Sequence, residues 1–235
     1  MKYGRIEYGI FISRPNRFIA YVDINGKTET VHVKNTGRCK ELLLPGVKVI
    51  LERSDNPARK TAYDLIAVYK KKFGLVNIDS QAPNKVVYEW LSGDRSILGH
   101  PDYIKPEYTI DNSRIDFYCE KDDRKILIEV KGCTLEINGM GYFPDAPTVR
   151  GVKHLNELAM LSKEGYECYI AFAIQMNGIK EVKPNIDTHR EFGEALDKAV
   201  KAGVKVLYLQ CDVKEDKLNI ICLLYTSPSP RDYAA

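Results

Sequence analysis

A pair of β-rich runs constrains this chain more than any other feature of its sequence. SRIDFYCE (113–120) and KILIEVKG (125–132) are separated only by the polar segment KDDR. Two such runs joined by a tight polar turn predict an antiparallel hairpin. Residues equidistant from the centre of the turn then lie opposite each other, which places Asp116 opposite Glu129.

The predicted hairpin gathers its charges on one face. Side chains alternate between the two faces of a strand, so Glu129 and Lys131 lie together with Leu127 on one face of the second run. Asp116 joins them from the first run, because the side chains of Ile115 and Phe117 are expected to point the other way. The apolar face of the second run holds Ile126, Ile128 and Val130.

This arrangement predicts a metal site. Two carboxylates placed opposite each other destabilise a sheet unless a positive charge lies between them. Mg²⁺ is well served by one or two carboxylates and a substrate phosphate, so we expect Mg²⁺ or Mn²⁺ at Asp116 and Glu129. The ammonium of Lys131 would stabilise charge on a phosphate or orient the attacking water. The alternatives are an exposed Glu-x-Lys strand face, or a bulge that voids the register.

Composition narrows the class of protein. The chain is 44% apolar and 29% charged, as in globular proteins, and no apolar run reaches the roughly 18 residues of a membrane span. The start of the sequence has no apolar leader segment. The six cysteines are scattered without a C-x-x-C pair, so neither a disulfide framework nor a zinc site is predicted. We therefore expect a cytoplasmic protein without a membrane segment.

The first part of the chain combines short predicted strands with positive charge. Residues 1–72 contain 15 Lys and Arg against 7 Asp and Glu, and a basic region attracts polyanions. Asn25-Gly26 is a strong hairpin signal because both positions accept positive φ. An OB-like β-barrel is predicted over residues 1–80, although periodicity alone also fits an SH3-like barrel. The predicted strands cover 5–14, 17–24, 27–34, 47–53 and 63–70, with a helical turn at 37–46.

The pattern changes after residue 80. The predicted order α-β-β-β-α-β, with a further α-β unit, indicates a restriction-endonuclease-like α/β domain over 81–222. In that nuclease core the Asp…Glu-x-Lys signature lies on the second and third strands. Asn84 is the predicted N-cap of the first helix, and Thr188 with Glu191 forms a predicted capping box for the third. The helices are predicted at 84–92, 147–163 and 189–201, the strands at 106–110, 114–119, 125–132, 167–175 and 204–210, and a disordered or non-native tail at 223–235.

Further residues are candidates for ligand contacts. Glu89, on the helix before the hairpin, could supply a third metal-binding carboxylate, with a solvated helix face as the alternative. Arg150, Lys153 and His154 lie at i, i+3 and i+4 on the next helix, where they could bind phosphate. Packing is the alternative role of His154, and turn formation that of the two Asn residues in the barrel set. The candidates for DNA contact in the barrel are Arg14, Arg17, Asn35, Arg38, Asn56 and Lys60.

Several stretches closely resemble the sugar fermentation stimulation protein family. The resemblance implies an OB-like domain joined to a PD-(D/E)xK-type domain, with DNA binding as the family's assigned activity. It also implies that Asp116, Glu129 and Lys131 are the nuclease-type site residues and that Glu89 matches an acidic helix position. Ile115 stands where the superfamily's name has Pro. The stretches are NTGRCKELLLPG (35–46), SDNPARK (54–60), SRIDF (113–117), IEVKGCTL (128–135) and FPDAPTVRGVKHLNEL (143–158).

Three functional hypotheses follow from the sequence. The first is Mg²⁺-dependent cleavage of DNA, and the second is a non-catalytic DNA-binding regulator of sugar metabolism. In both, the expected partner is duplex DNA. Binding without sequence preference is expected because no helix-turn-helix is evident. A homodimer is left open. The third, a small-molecule enzyme, has no Gly-rich phosphate loop, G-x-S-x-G or H-E-x-x-H motif to support it.

Overall fold

A computed structural model describes residues 1–35, 37, 39–94, 96–110 and 113–224 of the chain. Within them, two six-stranded sheets and one three-stranded sheet are joined to three helices. No helix in this part of the chain is long and apolar enough to cross a membrane. Arg38 and residues 225–235 of the predicted tail lie outside the described ranges.

The N-terminal sheet is an OB-like closed barrel, as predicted. Its strands run in the order β3-β2-β1-β4-β5, and a parallel contact between β3 and β5 closes the barrel. The predicted Asn25-Gly26 turn joins β2 and β3, with φ values of 55° and 81°. A sixth strand, which the sequence did not predict, extends the sheet beyond β5. The strands are β1 (Arg5–Ser13), β2 (Ile19–Ile24), β3 (Lys27–Val33), β4 (Lys48–Arg53), β5 (Tyr63–Lys70) and β6 (Gly74–Asn77).

Alternating burial explains the barrel. In β2 the side chains of Ala20, Val22 and Ile24 point into the barrel core, and the side chains between them are more exposed, as expected for a strand with one buried face. In β5, by contrast, Leu65 faces the barrel core while Ile66 packs with α1 and the second sheet. This strand is therefore apolar on both faces, and it joins the two halves of the molecule.

The second half is a mixed α/β domain, as predicted. Its main sheet has the order β15-β14-β12-β9-β8-β7, with β12 parallel to both β9 and β14. The small sheet β10-β11-β13 was not predicted, because its strands have only three or four residues. The elements are α1 (Ala82–Leu91), β7 (Tyr103–Ile110), β8 (Ser113–Lys121), β9 (Arg124–Cys133), β10 (Leu135–Ile137), β11 (Met140–Phe143), α2 (Val149–Lys163), β12 (Glu167–Ile174), β13 (Val182–Pro184), α3 (Arg190–Lys201), β14 (Lys205–Val213) and β15 (Leu218–Leu224).

The helices cover opposite faces of the main sheet. Val86 and Trp90 of α1 pack in one hydrophobic cluster with the predicted apolar face of β9. Leu155 of α2 and Phe192 of α3 pack in the other cluster, with Leu127 on the second face of β9. The face that carries Glu129 and Lys131 is therefore covered by helix α2 at this point instead of being exposed to solvent.

Three predicted boundaries are corrected by the structure. Helix α1 begins at Ala82 with Gln81 as its N-cap, because Pro83 suits the first turn of a helix; Asn84 lies inside the helix. His189, not Thr188, is the N-cap of α3, and no side chain caps that end, so the predicted capping box does not form. Leu223 and Leu224, assigned to the tail, pair with β14 as the end of β15.

Candidate metal centre and nucleic-acid surface

The hairpin has the predicted register. Phe117 pairs with Ile128 and Lys121 with Arg124, and both turn residues, Asp122 and Asp123, have positive φ. The described ladder between β8 and β9 ends at the Phe117 pair, one residue before Asp116. The predicted acidic pair therefore lies where the backbone pairing of the two strands stops.

Asp116 replaces a backbone acceptor at this point. Its Oδ2 accepts a hydrogen bond from the backbone N–H of Val130 at 2.8 Å, and its Oδ1 accepts one from Nδ2 of Asn84 at 2.8 Å. Ile115 and Phe117 pack in different hydrophobic clusters. The prediction that both neighbours point away from Asp116 on one face is thus wrong, because regular pairing of β8 with β9 ends here.

Glu129 is almost completely buried, with 2% of its side chain exposed. Its Oε1 accepts hydrogen bonds from Nζ of Lys131 at 2.5 Å and from Nδ1 of His154. Its Oε2 is buried and has no hydrogen-bond partner. A buried polar atom without a partner is unfavourable and needs an explanation.

The two carboxylates have opposite pKa shifts. Burial raises the pKa of Asp116, and the negative charge of Glu129 raises it further, against the hydrogen bonds from Val130 and Asn84. Burial would also raise the pKa of Glu129, but the hydrogen bond from His154 and the charge of Lys131 outweigh it and hold this pKa below its usual range. Glu129 is therefore the stably ionised member of the pair.

Glu89 is not brought into a group with these carboxylates. Its side chain is 56% exposed and forms an ion pair with the N-terminal amine of Met1. Glu89 and Asp116 line the same cleft, of about 510 Å³, beside α1. Within the described residues, no three His, Cys, Asp or Glu side chains are placed to hold a metal together. Glu89 is thus not grouped with Asp116 and Glu129, and a metal site at those two carboxylates stays a prediction.

Those two residues fit a hard divalent cation. Both offer carboxylate oxygens, which Mg²⁺ and Ca²⁺ prefer. The unpartnered Oε2 of Glu129 is an acceptor for which the protein supplies no donor, and a cation would satisfy it. The donor set therefore suits the metal predicted from the sequence.

The predicted phosphate-binding residues of α2 have separate roles. His154 is 7% exposed and points toward Glu129, and Nε of Arg150 donates to Nε2 of His154 at 3.2 Å. Lys153 is exposed and pairs with Glu157 at 3.4 Å. A cleft of about 400 Å³ runs beside them, lined by Ser113, Arg114, Val149, Arg150, Lys153, His154 and Glu157.

Three of the six barrel candidates stabilise loops. Arg14 donates to the backbone carbonyls of Asn35, Arg17 and Gly37 at 2.6–2.8 Å. Asn35 accepts from the N–H of Gly37 and donates to the carbonyl of Ile78. Asn56 accepts from the N–H of Ala58 at 3.0 Å. For the two Asn residues these contacts fit the turn-forming interpretation.

Arg17 and Lys60 are the exposed cations of this set in the described chain. The guanidinium of Arg17 lies 5.3 Å from the centre of the Phe18 ring. A groove of about 590 Å³ includes Arg14, Arg17 and Lys40 in its lining. The barrel surface therefore still presents positive charge to a polyanion.

Sequence reasoning missed the role of Asn84 and a cluster of charges around Asp64. Asp64 is 3% exposed, and both of its oxygens accept hydrogen bonds from Arg59, at 2.6 and 2.9 Å. His32 and Lys34 also contact this carboxylate. Arg59 lies in the stretch SDNPARK, but its partner could be identified only from the packed barrel.

The fold and the site define a class of two-domain proteins. In these proteins an OB-like barrel is followed by a mixed α/β domain that carries an Asp, Glu and Lys cluster. Comparison with protein-family models agrees with this architecture. Residues 12–78 match the SfsA N-terminal OB domain, and residues 81–217 match the Sugar fermentation stimulation protein RE domain. The chain belongs to the sugar fermentation stimulation protein family.

Similar proteins support this assignment over nearly the whole chain. The sugar fermentation stimulation protein homolog of Desulfitobacterium hafniense (strain Y51) is 56% identical over 219 residues, which are 93% of this chain and 95% of that protein. The homolog of Clostridium beijerinckii is 54% identical over 221 residues, covering 94% and 96% of the two chains. A solved structure of Pyrococcus furiosus SfsA in complex with Ca²⁺ matches with a TM-score of 0.82 and 25% identity, covering 95% of this chain and 96% of that one.

Proposed function

We propose that this protein cleaves phosphodiester bonds of DNA with the help of Mg²⁺ or Mn²⁺. The observation that carries the proposal is the buried Oε2 of Glu129, which has no partner although the carboxylate is held by two donors at its other oxygen. Lys131 donates directly to Glu129, and Asp116 lies close enough for the charge of Glu129 to raise its pKa.

The side chains of this site have distinct roles in the proposed reaction. Asp116 and Glu129 would hold the cation, which would polarise the scissile phosphate and offset its charge. Asn84 keeps the Asp116 carboxylate in place through its hydrogen bond. The ammonium of Lys131, 15% exposed, is available to donate to a phosphate oxygen as negative charge develops there.

Positive charge around the site supports DNA as the substrate. Arg114 and Lys153 line the cleft next to His154, and Arg17 and Lys60 are exposed on the barrel. Basic side chains that neutralise phosphates bind DNA without reading its sequence. Duplex DNA bound without sequence preference is the proposed partner.

The Pyrococcus furiosus relative supports a divalent cation in the family. That structure is described as a complex with Ca²⁺, an ion that takes carboxylate oxygens as Mg²⁺ does. Carried over to this chain, the Ca²⁺ complex favours binding of a divalent cation, for which Asp116 and Glu129 are the ligands we propose. The proposal differs in the ion, since Mg²⁺ and Mn²⁺ are the ones expected to support cleavage.

A cleavage assay tests the proposal. The full chain is incubated with end-labelled single-stranded, duplex and branched DNA in Mg²⁺, Mn²⁺, Ca²⁺ or EDTA. We expect product with Mg²⁺ or Mn²⁺ only, and none from Glu129→Ala or Lys131→Ala. If no substrate yields a metal-dependent product, or if both variants cleave like the unmodified protein, the proposal fails.

DNA binding without cleavage, as in a regulator of sugar use, is the second candidate. It is favoured by the absence of a third acidic group beside the pair in the described residues and by the ion pair that occupies Lys131. This function requires an affinity for DNA that falls steeply with salt and is the same in Mg²⁺ and EDTA. Fluorescence anisotropy of labelled duplex in both conditions distinguishes the two candidates.

A further inference from the structure

The hydrogen bonds around Glu129 divide its two oxygens into different roles. Oε1 accepts from both Lys131 and His154, whereas Oε2 is buried without a partner. A carboxylate held at one oxygen by two donors from different directions cannot rotate freely. The hydrogen bonds at Oε1 therefore also determine the direction in which Oε2 points.

The contacts of His154 determine which of its nitrogens carries the proton. Nε of Arg150 can only donate, so Nε2 of His154 must accept the hydrogen bond between them at 3.2 Å. Nδ1 of His154 faces Oε1 of Glu129, and a carboxylate oxygen accepts, so Nδ1 donates to it. The ammonium of Lys131 also lies 3.5 Å from Nδ1, but its closer contact is with Oε1 of Glu129 at 2.5 Å. Both contacts are satisfied by a neutral imidazole protonated on Nδ1. Arg150 therefore selects the tautomer that serves Glu129.

Helix α2 gives this arrangement a rigid base. Arg150 and His154 are four residues apart and thus lie on the same side of the helix. Thr148 caps the helix by accepting from the N–H of Gly151 at 3.0 Å. Leu155 and Leu158 are fully buried against the sheet. The position of the imidazole is therefore set by the packing of the whole helix.

We propose that His154 is a positioning residue that orients Glu129 for the cation, and that Arg150 acts through His154 by setting its tautomer. This inference rests on the proposed function and deepens it. It replaces the role in phosphate binding that the sequence predicted for these two residues. Hydrogen-bond partners of metal ligands orient those ligands, and their loss commonly costs about 10–100-fold in metal affinity.

Two substitutions of His154 separate orientation from bulk. In Asn the N–H donor is bonded to Cγ, as Nδ1 is in His. His154→Asn can therefore keep the hydrogen bond to Glu129. Gln carries its donor one bond further out and resembles the Nε2 side. We expect Mn²⁺ affinity, measured by isothermal titration calorimetry, to fall about 10–100-fold in His154→Gln and to be largely retained in His154→Asn.

Arg150 provides a variant outside the core. Its side chain is at the protein surface, so Arg150→Gln is expected to fold normally. Arg150→Gln removes the guanidinium that donates to Nε2 of His154 but leaves the imidazole in place, so it should weaken Mn²⁺ binding by less than His154→Gln does. His100→Asn is a matched control, because His100 is exposed, with 63% of its side chain accessible, and pairs with Asp94 on the loop after α1. Thermal unfolding of each variant verifies the fold.

The outcomes separate the inference from the proposed function. Weak Mn²⁺ binding by His154→Gln together with strong binding by His154→Asn supports the inference. If the unmodified protein binds no Mn²⁺, the proposed metal-dependent function fails. If it binds Mn²⁺ and both His154 variants and Arg150→Gln match it, the inference alone is overturned. A loss of DNA affinity in EDTA by the His154 and Arg150 variants, with Mn²⁺ binding unchanged, would overturn it in favour of phosphate contact.

Discussion

Two buried carboxylates in this protein have opposite surroundings. Asp64 in the barrel is contacted by Arg59, His32 and Lys34, and both of its oxygens accept hydrogen bonds. Glu129 in the α/β domain is equally buried, but only one of its oxygens has partners. The cations around Asp64 neutralise its charge within the fold, whereas Glu129 keeps one oxygen for which the protein supplies no donor and which a ligand can use. The contrast identifies the site more clearly than burial or charge alone.

The largest expected effect is the loss of cleavage in Glu129→Gln. Without the negative charge the site holds the cation poorly, so we expect cleavage to fall by about 1000-fold, or roughly 4 kcal/mol of transition-state stabilisation. Stability should fall by only about 1–2 kcal/mol, because the amide oxygen of Gln can still accept from Lys131 and His154. Cleavage rates and urea unfolding measure the two effects. A Glu129→Gln variant that loses much of its stability but cleaves DNA like the unmodified protein would contradict the contrast.

Asp64→Ala should show the reverse pattern. Removing this carboxylate leaves Arg59 and Lys34 without a shared anion in a partly buried place. We expect the free energy of unfolding to fall by about 3 kcal/mol, the lower end for a broken buried pair, since Arg59 and His32 are about one-third exposed. Cleavage by the folded fraction should be unchanged. Urea titration followed by circular dichroism measures the loss; an unchanged midpoint would argue against a structural role.

As the pH falls, Mn²⁺ binding should be lost before Asp64 stops contributing to the stability of the fold. Burial and the charge of Glu129 raise the pKa of Asp116, so protons compete for this carboxylate at a higher pH than for an ordinary one. The Mn²⁺ affinity should therefore decline as the pH falls through the raised pKa of Asp116. Titrations of Mn²⁺ binding from neutral pH downward would measure this.

A fall in pH changes the stability of the fold in opposite directions through Asp116 and through Asp64. Asp116, with a raised pKa, binds more protons in the folded than in the unfolded chain, so its term favours folding as the pH falls through that window. Despite burial, Arg59, His32 and Lys34 hold the pKa of Asp64 well below its usual range. Its stabilisation is fully present above the unfolded pKa and is lost only as the pH falls toward the depressed one. Parallel loss of Mn²⁺ binding and fold stability would contradict this separation.

Asn84→Ala is expected to have a smaller effect. The amide donates to Asp116, and its removal should raise the pKa of Asp116 further and shift the pH dependence of Mn²⁺ binding upward. The cost in stability should be about 1 kcal/mol, typical of one hydrogen bond. Asn56→Ala, which removes a loop contact in the barrel, is a control that should leave Mn²⁺ binding unchanged.

The smallest expected effect is that of Lys153→Gln. This exposed side chain lines the cleft beside His154. Its loss should weaken DNA binding slightly, and by a similar factor for every DNA sequence. The slope of log affinity against log salt should decrease by about 1. Anisotropy titrations at several salt concentrations would show it, with Lys198→Gln on α3 as a surface control. An unchanged slope would remove Lys153 from the DNA-binding surface.

Local patterns predicted much of this architecture because they arise from neighbouring residues. The Asn25-Gly26 turn, the alternation in β2 and the polar turn between β8 and β9 depend on a few consecutive side chains. Helix ends were less predictable: Pro83 moved the start of α1 away from Asn84, the more obvious cap. Short strands such as β10 and β13 carry too few residues to show a period.

By itself, the sequence determined the register of the hairpin up to the pair of Phe117 with Ile128, and hence that Asp116 comes near Glu129, since a short turn leaves little freedom. Only the tertiary structure decided that His154 and Asn84 contact those carboxylates, because each belongs to a helix 25 or 32 residues away in the chain. Helix packing brings them to the site, and it leaves Oε2 of Glu129 without a donor. Such contacts depend on how whole elements pack, and no local pattern in the sequence records them.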